Sequence, residues 1–448
     1  MQWLPHSARG LFFRLYFGAV TSAPGGRRNF IAAATESVSF GVANHLTAAA
    51  VVLPFICVAF GGSAFAAALI FPVFTAATLL GAVVAPRVLG LRPVARSLAL
   101  ILTLIAIVFA ITGVGILVVS PQWLNALWIV AAVVGLLSGI ASIAVVEVMS
   151  SSLATSEKAA LSVVQSTGGA VLTLVITIVL GLFFLDPNGK DAHIALLWIG
   201  IVAMLVAALS LLRIRPSGSD PVIKQHSISI LDALRSRPDR KNPWVREFLI
   251  TQVLFLSIAL GTSFYSVHGA TLHGQKSEAL HYIVAVTAVG SLLFTAVWTL
   301  SRHKATIRGL LLTAAALGVF AAVAALIADY SGAEALPILS GVVIVFAAAG
   351  GAATSSTRST WMYHNLGHDD DTEIIIFCQI VLGVTATAVG LGLSLLARLD
   401  TVAPAWVMLI LSGYALFHAR RGPRVRILDT RPGREHSNHG RHFGGFHW

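Results

Sequence analysis

Ionisable and amide side chains occur inside the long apolar segments of this chain, where a charged group costs at least about 2–3 kcal/mol near the centre of a bilayer. His45 and Asn44 lie near the middle of the first such segment. At 100° per residue they share about half of a helix surface with Glu36 and Gly41. An imidazole with a pKa near about 6.5 can carry protons at physiological pH. His45 is therefore a candidate for proton transfer or substrate contact, and a hydrogen bond to a neighbouring helix is the alternative.

Two acidic residues are further candidates for coupling to protons. Glu36 stands early in the first apolar segment, and Glu147 stands at the end of the fourth. A buried carboxyl group at Glu36 can exchange protons, but an interfacial ion pair with Arg27 or Arg28 is the favoured alternative. For Glu147 we favour a contact at an interfacial gate over a coupling role.

Three glutamines, Gln165, Gln252 and Gln379, lie in the fifth, seventh and eleventh apolar segments. An amide both donates and accepts hydrogen bonds, so it suits polar uncharged groups on a substrate. It suits bonding between helices in lipid equally well, at about 0.6–2 kcal/mol per bond. Both interpretations stay open.

Motifs of soluble catalysis are missing from the sequence. It contains no Walker loop, no HExxH, no haem motif and no Ser-His-Asp grouping in a polar region. Cys57 and Cys378 both lie in apolar segments without zinc or disulfide spacing. We therefore predict that the chain is not an enzyme and needs no metal or cofactor.

The composition indicates what must position these residues. Of the 448 residues, 56% are hydrophobic and 11% are charged, with a mean hydropathy of +0.84. A soluble domain carries about 25% charged residues. Apolar segments of about 20 residues span a bilayer as helices, which satisfy their own backbone hydrogen bonds. The sequence predicts an all-α integral membrane protein.

Twelve apolar segments, six on each side of a central polar stretch, predict twelve transmembrane helices in two six-helix halves. Their predicted bounds are 30–60, 64–85, 98–119, 124–146, 160–185, 193–212, 248–267, 279–300, 309–328, 335–354, 374–397 and 403–417. The predicted divisions are a cytoplasmic or interfacial segment at 1–29, the first half at 30–212, a basic cytoplasmic linker at 213–246, the second half at 247–418 and a basic His-rich cytoplasmic tail at 419–448.

The basic residues predict the orientation. With the N-terminus in the cytoplasm, all but three of the 30 Lys and Arg residues fall on the cytoplasmic side. The exceptions are Lys190, Lys276 and Arg398. Because Lys and Arg stay in cytoplasmic loops, we expect both termini in the cytoplasm and the protein in the plasma membrane.

The two predicted halves also contain similar residues, as expected of a transporter built from an internal repeat. In each half a polar turn leads into a helix with an early Gln and a Gly four residues later. The matching residues are Leu153 with Leu366, Glu157 with Asp370, Gln165 with Gln379 and Gly169 with Gly383.

Six helices, a long basic loop and six more helices resemble the major facilitator superfamily of secondary transporters. Gly81, Arg87, Gly90 and Arg92 resemble the superfamily's signature after its second helix, although Ala85-Pro86 replaces the expected acid. The resemblance implies a central cavity between two halves that rock to give alternating access.

The same resemblance implies a cytoplasmic gate at the signature residues Gly81, Arg87, Gly90 and Arg92. An acidic run that includes Asp370 precedes the eleventh segment, and it can pair with these arginines across the cytoplasmic mouth. A solvated turn that favours the N-terminus of the next helix is the alternative.

We therefore predict a plasma-membrane secondary transporter of a small organic molecule, working by alternating access, with proton-coupled export as the expected mode. The apolar segments hold amides and one His but no buried Arg or Lys pair, which favours an uncharged, cationic or amphiphilic substrate. The expected partners are the lipid bilayer, the substrate and protons, with no nucleic acid. The alternative is a non-transporting relative that serves as a partner or scaffold of a membrane complex.

Overall fold

A computed structural model of the chain describes fourteen α-helices. The described residues are 26–89, 93–118, 124, 127–152, 155–183, 190–214, 235, 237–273, 279–301, 306–331, 337–365 and 371–423. Seven of the helices precede the central polar stretch. They are α1 (Gly26–Leu46), α2 (Val52–Ala59), α3 (Ala64–Leu89), α4 (Val94–Val118), α5 (Leu127–Ser152), α6 (Thr155–Phe183) and α7 (Lys190–Leu211).

Seven more helices follow, and the first of them is a single turn within the central stretch. They are α8 (Pro238–Lys241), α9 (Pro243–His273), α10 (Ala279–Ser301), α11 (Ile307–Tyr330), α12 (Pro337–Asn365), α13 (Asp371–Leu399) and α14 (Ala403–Ala419). We call the end of the bundle at which α1 begins the proximal end, and the opposite end, at which α3 begins, the distal end. The predicted topology assigns the proximal end to the cytoplasm.

Nine of the described helices are long and apolar enough to cross a membrane, namely α3, α4, α5, α7 and α9 to α13. Apolar parts of α6 and α14 are shorter, at 167–182 and 403–419. Large apolar side chains are exposed along these helices, including Leu182, Ile338 and Ile410 at about 70%. In water such a surface would associate or aggregate, whereas in a bilayer it faces lipid. The chain is a multi-pass membrane protein.

Several helices extend beyond the predicted apolar segments. The helix α12 continues to Asn365, so Arg358, which the sequence analysis placed in a loop, lies inside a helix. The helix α9 already begins at Pro243, in the stretch predicted as a linker. Proline suits the first turn of a helix because its missing N–H would have had no helical partner there. Hydropathy identifies the residues that cross the lipid, but it does not identify the polar turns by which a helix extends into water.

The helices before and after the central stretch pack in the same order. In the first set, α3 packs on α5, α4 on α5 and α7, and α1 on α6 and α7. In the second set, α10 packs on α12, α11 on α12 and α14, and α9 on α13 and α14. The two sets meet where α3 packs on α13 and where α6 packs on α10. Because α3 corresponds to α10 and α6 corresponds to α13, the same pair of helix positions forms both contacts.

Glycines allow the closest of these crossings. A Cβ at Gly81 would overlap the carbonyl oxygen of Leu136, and one at Gly139 would overlap that of Thr78, so α3 and α5 meet backbone to backbone. At the matching crossing of α10 and α12, a Cβ at Gly290 would lie 2.5 Å from the carbonyl oxygen of Val345. Close approach at small residues is how helices associate in lipid, where dispersion contacts replace the hydrophobic effect.

Candidate functional site

The first apolar segment is not one helix, because it is broken between Leu46 and Val52. Pro54 lies in the first turn of α2, where a proline is tolerated, but a continuous helix would set its ring against the carbonyl of Ala50. The backbone compensates at the break, where the carbonyl oxygen of Ala48 accepts from the amides of Val51 and Val52 at 3.1 and 2.8 Å. The prediction of an uninterrupted segment as far as Phe60 was wrong.

The short helix α2 is held firmly beyond the break. Phe55 is fully buried, and its ring meets the His193 ring of α7 edge to face at 5.5 Å between centroids. At eight residues, or about 12 Å, α2 is too short to cross a bilayer alone. It packs on α3 and also on α9 from the second set of helices. The break therefore lies nearer the distal end, beside a contact between the two sets.

A tight turn joins α2 to α3. Gly61 has a φ of +99°, in the left-handed region that favours glycine. Its amide donates to the Val58 carbonyl at 3.0 Å, and the Gly62 amide donates to the Cys57 carbonyl at 2.7 Å. These two bonds form a Schellman motif. The Ser63 hydroxyl then accepts from the Ala66 amide at 3.1 Å and caps α3, as expected from the predicted break at Gly61-Gly62-Ser63.

Two sides of α1 are occupied by its nearest neighbours. A Cβ at Gly169 of α6 would lie 2.9 Å from the Cα of Gly41, so α6 covers that side of α1. A Cβ at Gly200 of α7 would lie 2.6 Å from the Cγ2 of Thr47 and 3.0 Å from the Cβ of Leu46.

Glu36, Ser37 and Asn44 lie within an arc of about 100° between these two contacts, and we call this arc the polar face of α1. Ser37, one turn before Gly41, borders the side covered by α6, and Glu36, three turns before Thr47, borders the side covered by α7. Glu36 and Ser37 are each 2% exposed, and the Ser37 hydroxyl donates to Oε2 of Glu36 at 3.0 Å. Asn44, two turns further along, is exposed. The accessible amide of Asn44 thus lies just before the break, and the buried carboxyl group of Glu36 lies about two turns closer to the proximal end.

His45 lies on a different side of α1 from Glu36. It is one helical turn beyond Gly41, so it is directed toward α6, and it is half-buried. The sequence analysis placed both residues in one polar half of the helix, but the position of α6 separates them. A contact between α1 and α6 is therefore the role that this placement favours for His45.

The glutamines of the second set lie on neighbouring helices. Gln252 of α9 is 3% exposed, and its Nε2 has no hydrogen-bond partner among the residues that the structure describes. The preceding residue, Thr251, has its hydroxyl 3.2 Å from Nε2 of His418 on α14. Gln379 is half-buried on α13, which packs against α9.

The contact between α3 and α13 closes the distal end of the bundle. The Ser394 hydroxyl lies 2.8 Å from the carbonyl oxygen of Ala68, and the Arg398 guanidinium stands 5.6 Å from the centre of the Phe65 ring. We call these four residues the distal seam. Further along the same pair, a Cβ at Gly390 would lie 2.8 Å from the Pro72 ring. No feature of the sequence analysis predicted this seam.

The remaining predicted site residues are placed only in part. Arg87 is exposed in the last turn of α3, and Gly81 forms the crossing with α5 described above. The predicted residues whose backbone or side chain lies outside the described part are Gly90, Arg92, Glu147, Gln165 and Asp370. In the described part, no three His, Cys, Asp or Glu residues cluster closely enough to hold a metal ion.

No family model matches the sequence. Uncharacterized proteins of Mycobacterium tuberculosis (strain H37Rv) and Mycobacterium bovis are each 27% identical to it over 401 residues. Each alignment covers 87% of this chain and 76% of the relative.

Solved transporters share the arrangement of helices. A mutant of the nucleoside transporter NupG superposes with a TM-score of 0.61 at 13% identity, over 88% of this chain and 98% of that one. The chain has a major-facilitator-type fold. The xylose transporter XylE of E. coli in an inward-open conformation gives 0.59 at 14% identity, over 89% and 96%. A POT family transporter in complex with a peptide conjugate gives 0.59 at 12% identity, over 88% and 95%. These three neighbours are transporters rather than enzymes.

Proposed function

We propose that the chain is a secondary active transporter that moves a small organic molecule across the plasma membrane by alternating access. The observation that carries the proposal is the broken first segment, with a buried carboxyl and an accessible amide on the polar face of α1. Discontinuous helices of this kind form binding sites in transporters, because a break places polar groups at membrane depth. The fold shared with nucleoside, xylose and POT family transporters supports the same proposal.

In this proposal the chain crosses the membrane twelve times, in two six-helix halves with both termini in the cytoplasm. The broken segment α1–α2 counts as one span, and α3 to α7 supply five more. The helices α9 to α14 form the second half. The recurrence of most helix contacts in both sets supports this division, since a repeated unit packs in a similar way twice; the contact of α9 with α12 is more extensive than its counterpart in the first set.

Cysteine labelling tests the orientation. Cys57 and Cys378 are both buried, so little background labelling is expected. In whole cells an impermeant maleimide should modify a Gly189→Cys variant and leave a Ser217→Cys variant unmodified until the cells are opened. The reverse pattern would overturn the proposed topology.

The proposed binding site lies between the halves and extends from Asn44, beside the break, toward the proximal end, where Gln252 and Gln379 lie. We assign substrate contact to Asn44, Gln252 and Gln379, because amides can pair with polar groups of either kind. Gln252 suits this role best, since its buried Nε2 lacks a partner within the described residues. We assign proton exchange to Glu36. Because Glu36 is the single acid of the polar face of α1, this face suits an uncharged, cationic or amphiphilic substrate.

We further propose that Arg87 and Arg92 pair with Asp370 to close the proximal mouth when the distal seam opens. Exposure of Arg87 at the end of α3 leaves its guanidinium free to reach another helix end. Reversing its charge in Arg87→Glu should impair transport, and adding Asp370→Arg should restore part of it. Full transport by the single variant would remove this gate.

The decisive experiment is an uptake screen of metabolites and drugs in vesicles with an imposed pH gradient. Accumulation that depends on the gradient and disappears with an uncoupler supports the proposed transporter, and vesicles of both orientations distinguish import from export. If no compound accumulates although the protein is folded, the alternative of a scaffold within a membrane complex is favoured. Co-purification of another membrane protein would then test that alternative.

A further inference from the structure

A recess of about 470 Å³ lies between α1 and α7 at the proximal end of the bundle, away from the proposed transport site. Its wall is formed by two arginines, two hydroxyl side chains and two apolar residues. They are Arg28, Ile31, Ala32 and Thr35 from α1, with Ser210 from α7 and Arg213 from the turn that follows α7. Among these described lining residues none is acidic, so the recess attracts anions.

The recess has a buried floor and a charged rim. Ala32 and Ser210 are each 6% exposed and form the floor, whereas Arg28 and Arg213 are exposed. A pair of guanidinium groups with several N–H donors each suits a phosphate group, which accepts hydrogen bonds in a forked geometry. The shared chemistry of a ligand here is thus a phosphate ester.

The hydroxyl groups add a second requirement. The Thr35 hydroxyl donates to the Ile31 carbonyl at 2.9 Å, and the Ser210 hydroxyl donates to the Val206 carbonyl at 2.8 Å. Because each hydroxyl already donates its proton, its oxygen is left to accept. A ligand that carries O–H donors next to its phosphate therefore matches both parts of the recess.

Apolar side chains beside the recess indicate where such a ligand comes from. Ile31, Leu209 and Leu212 are 50%, 63% and 57% exposed. They adjoin the recess on the lipid-facing side of α1 and α7, where an acyl chain would run. The two arginines lie at the end of these helices, at the level where lipid head groups meet the hydrocarbon.

From these features we infer that the recess binds one anionic phospholipid with a hydroxyl-bearing head group. The phosphate lies between Arg28 and Arg213, the head-group hydroxyls donate to Thr35 and Ser210, and an acyl chain follows Ile31. A bound lipid there joins the start of the first segment to the end of α7. This inference does not depend on transport.

Native mass spectrometry of the purified full chain in detergent tests the inference, with phosphatidylglycerol as the probe. The wild type should retain one phosphatidylglycerol in preference to phosphatidylcholine. The double variant Arg28→Gln/Arg213→Gln should bind phosphatidylglycerol about 10- to 30-fold more weakly than the wild type. The loss of each arginine should weaken binding by roughly tenfold or less. The matched control Arg240→Gln/Arg420→Gln removes two exposed arginines from the same end and should bind like the wild type.

Three results would overturn the inference. The control double variant could lose as much binding as the recess variant, which would mean general attraction to charge. Phosphatidylcholine could bind equally well. Inorganic phosphate at millimolar concentration could displace the lipid, which would make the recess a site for soluble phosphate.

A filling variant covers the case in which the double variant does not fold. Thr35 is exposed, so Thr35→Phe occupies the recess without disturbing the packed interior. It keeps both arginines and should still lose the retained phosphatidylglycerol, with an unchanged elution profile. Retention by this variant would contradict the proposed position of the lipid.

Discussion

The first apolar segment and α9 hold matching places in the two sets of helices, yet one is broken and the other continuous. The former consists of α1 and α2 with an irregular stretch between them, while α9 runs for 31 residues from Pro243 to His273. Each packs on the last and second-last long helices of its own set, and α9 packs in addition on α12. The packing plan is therefore shared, and the difference comes from the local sequence. In the proposed transporter, the interrupted first segment makes the first half the one that can bend at its site, whereas α9 is continuous.

The largest effect is expected from placing a proline in the continuous helix. Val267 is as far along the chain from Pro54 as Leu366 is from Leu153, and it is 1% exposed. Val267→Pro should cost about 3 kcal/mol or more, because the ring displaces the preceding turn and removes a hydrogen bond. We expect no monodisperse protein in detergent, whereas Val267→Ala should purify normally.

The reciprocal change tests the broken segment. Pro54→Ala keeps the contacts of α2, so the melting temperature should stay close to that of the wild type, while transport should fall because the break is no longer enforced. A folded Val267→Pro protein, or a Pro54→Ala protein with normal transport, would show that the break has no role in the asymmetry.

The acids of the two segments provide the next test. Glu36 is buried ten residues into α1, whereas Glu247 is only half-buried in the first turns of α9. Glu36→Gln keeps the shape and the bond from Ser37 but cannot titrate. It should reduce gradient-driven accumulation at least about tenfold while leaving exchange of labelled for unlabelled substrate intact. Glu247→Gln is the matched control and should change neither. Equal loss of exchange in Glu36→Gln would mean a binding role instead of proton coupling.

A smaller effect is expected at the distal seam, where α3 meets α13 of the second set of helices. Ser394→Ala removes the hydroxyl that reaches the Ala68 carbonyl, at about 1 kcal/mol, or roughly a fivefold shift of an equilibrium. Distances between spin labels at Ser63 and Leu399 should then include a larger fraction of separated distal ends. Thr387→Val is the control, since the Thr387 hydroxyl bonds within its own helix to Gly383 at 2.8 Å. If both variants gave the same distribution of spin-label distances, the seam would not hold the distal ends of the two sets together.

The smallest effect is expected at His45. Its direction toward α6 predicts that His45→Gln lowers stability by about 1 kcal/mol or less and leaves gradient-driven accumulation unchanged. A thermal shift in detergent and the uptake assay measure the two quantities. Loss of accumulation with retained exchange would assign proton coupling to His45 after all, as the sequence hypothesis has it.

The membrane class and the apolar helices could be predicted because hydropathy and helix length depend only on composition along the chain. Pro54 was the residue from which the break could have been predicted. In a continuous helix its ring would clash with the carbonyl four residues earlier. The spacing of Glu36 and His45 already puts them at opposite edges of the polar half, since nine residues at about 100° each place them half a turn apart. That α6 covers the edge with His45 could not be predicted, because it depends on tertiary packing. The seam at Ser394 joins residues 326 apart in the chain, and no local pattern encodes such a pairing.

The glycine turn between α2 and α3 has a mechanical consequence. Because the Schellman bonds fix the end of α2 and the Ser63 cap fixes the start of α3, the two helices are rigidly connected at an angle and move together. We refer to α2 as the short arm and to α3 as the long arm of this unit. One arm is α2, which begins at the break beside the polar face, and the other is α3, which forms the seam with α13. In the proposed transporter, a ligand that tilted α2 by a few degrees would move the far end of α3 about three times as far, because α3 has 26 residues and α2 has eight. Occupancy of the break would thereby be converted into a torque on the opposite half of the molecule.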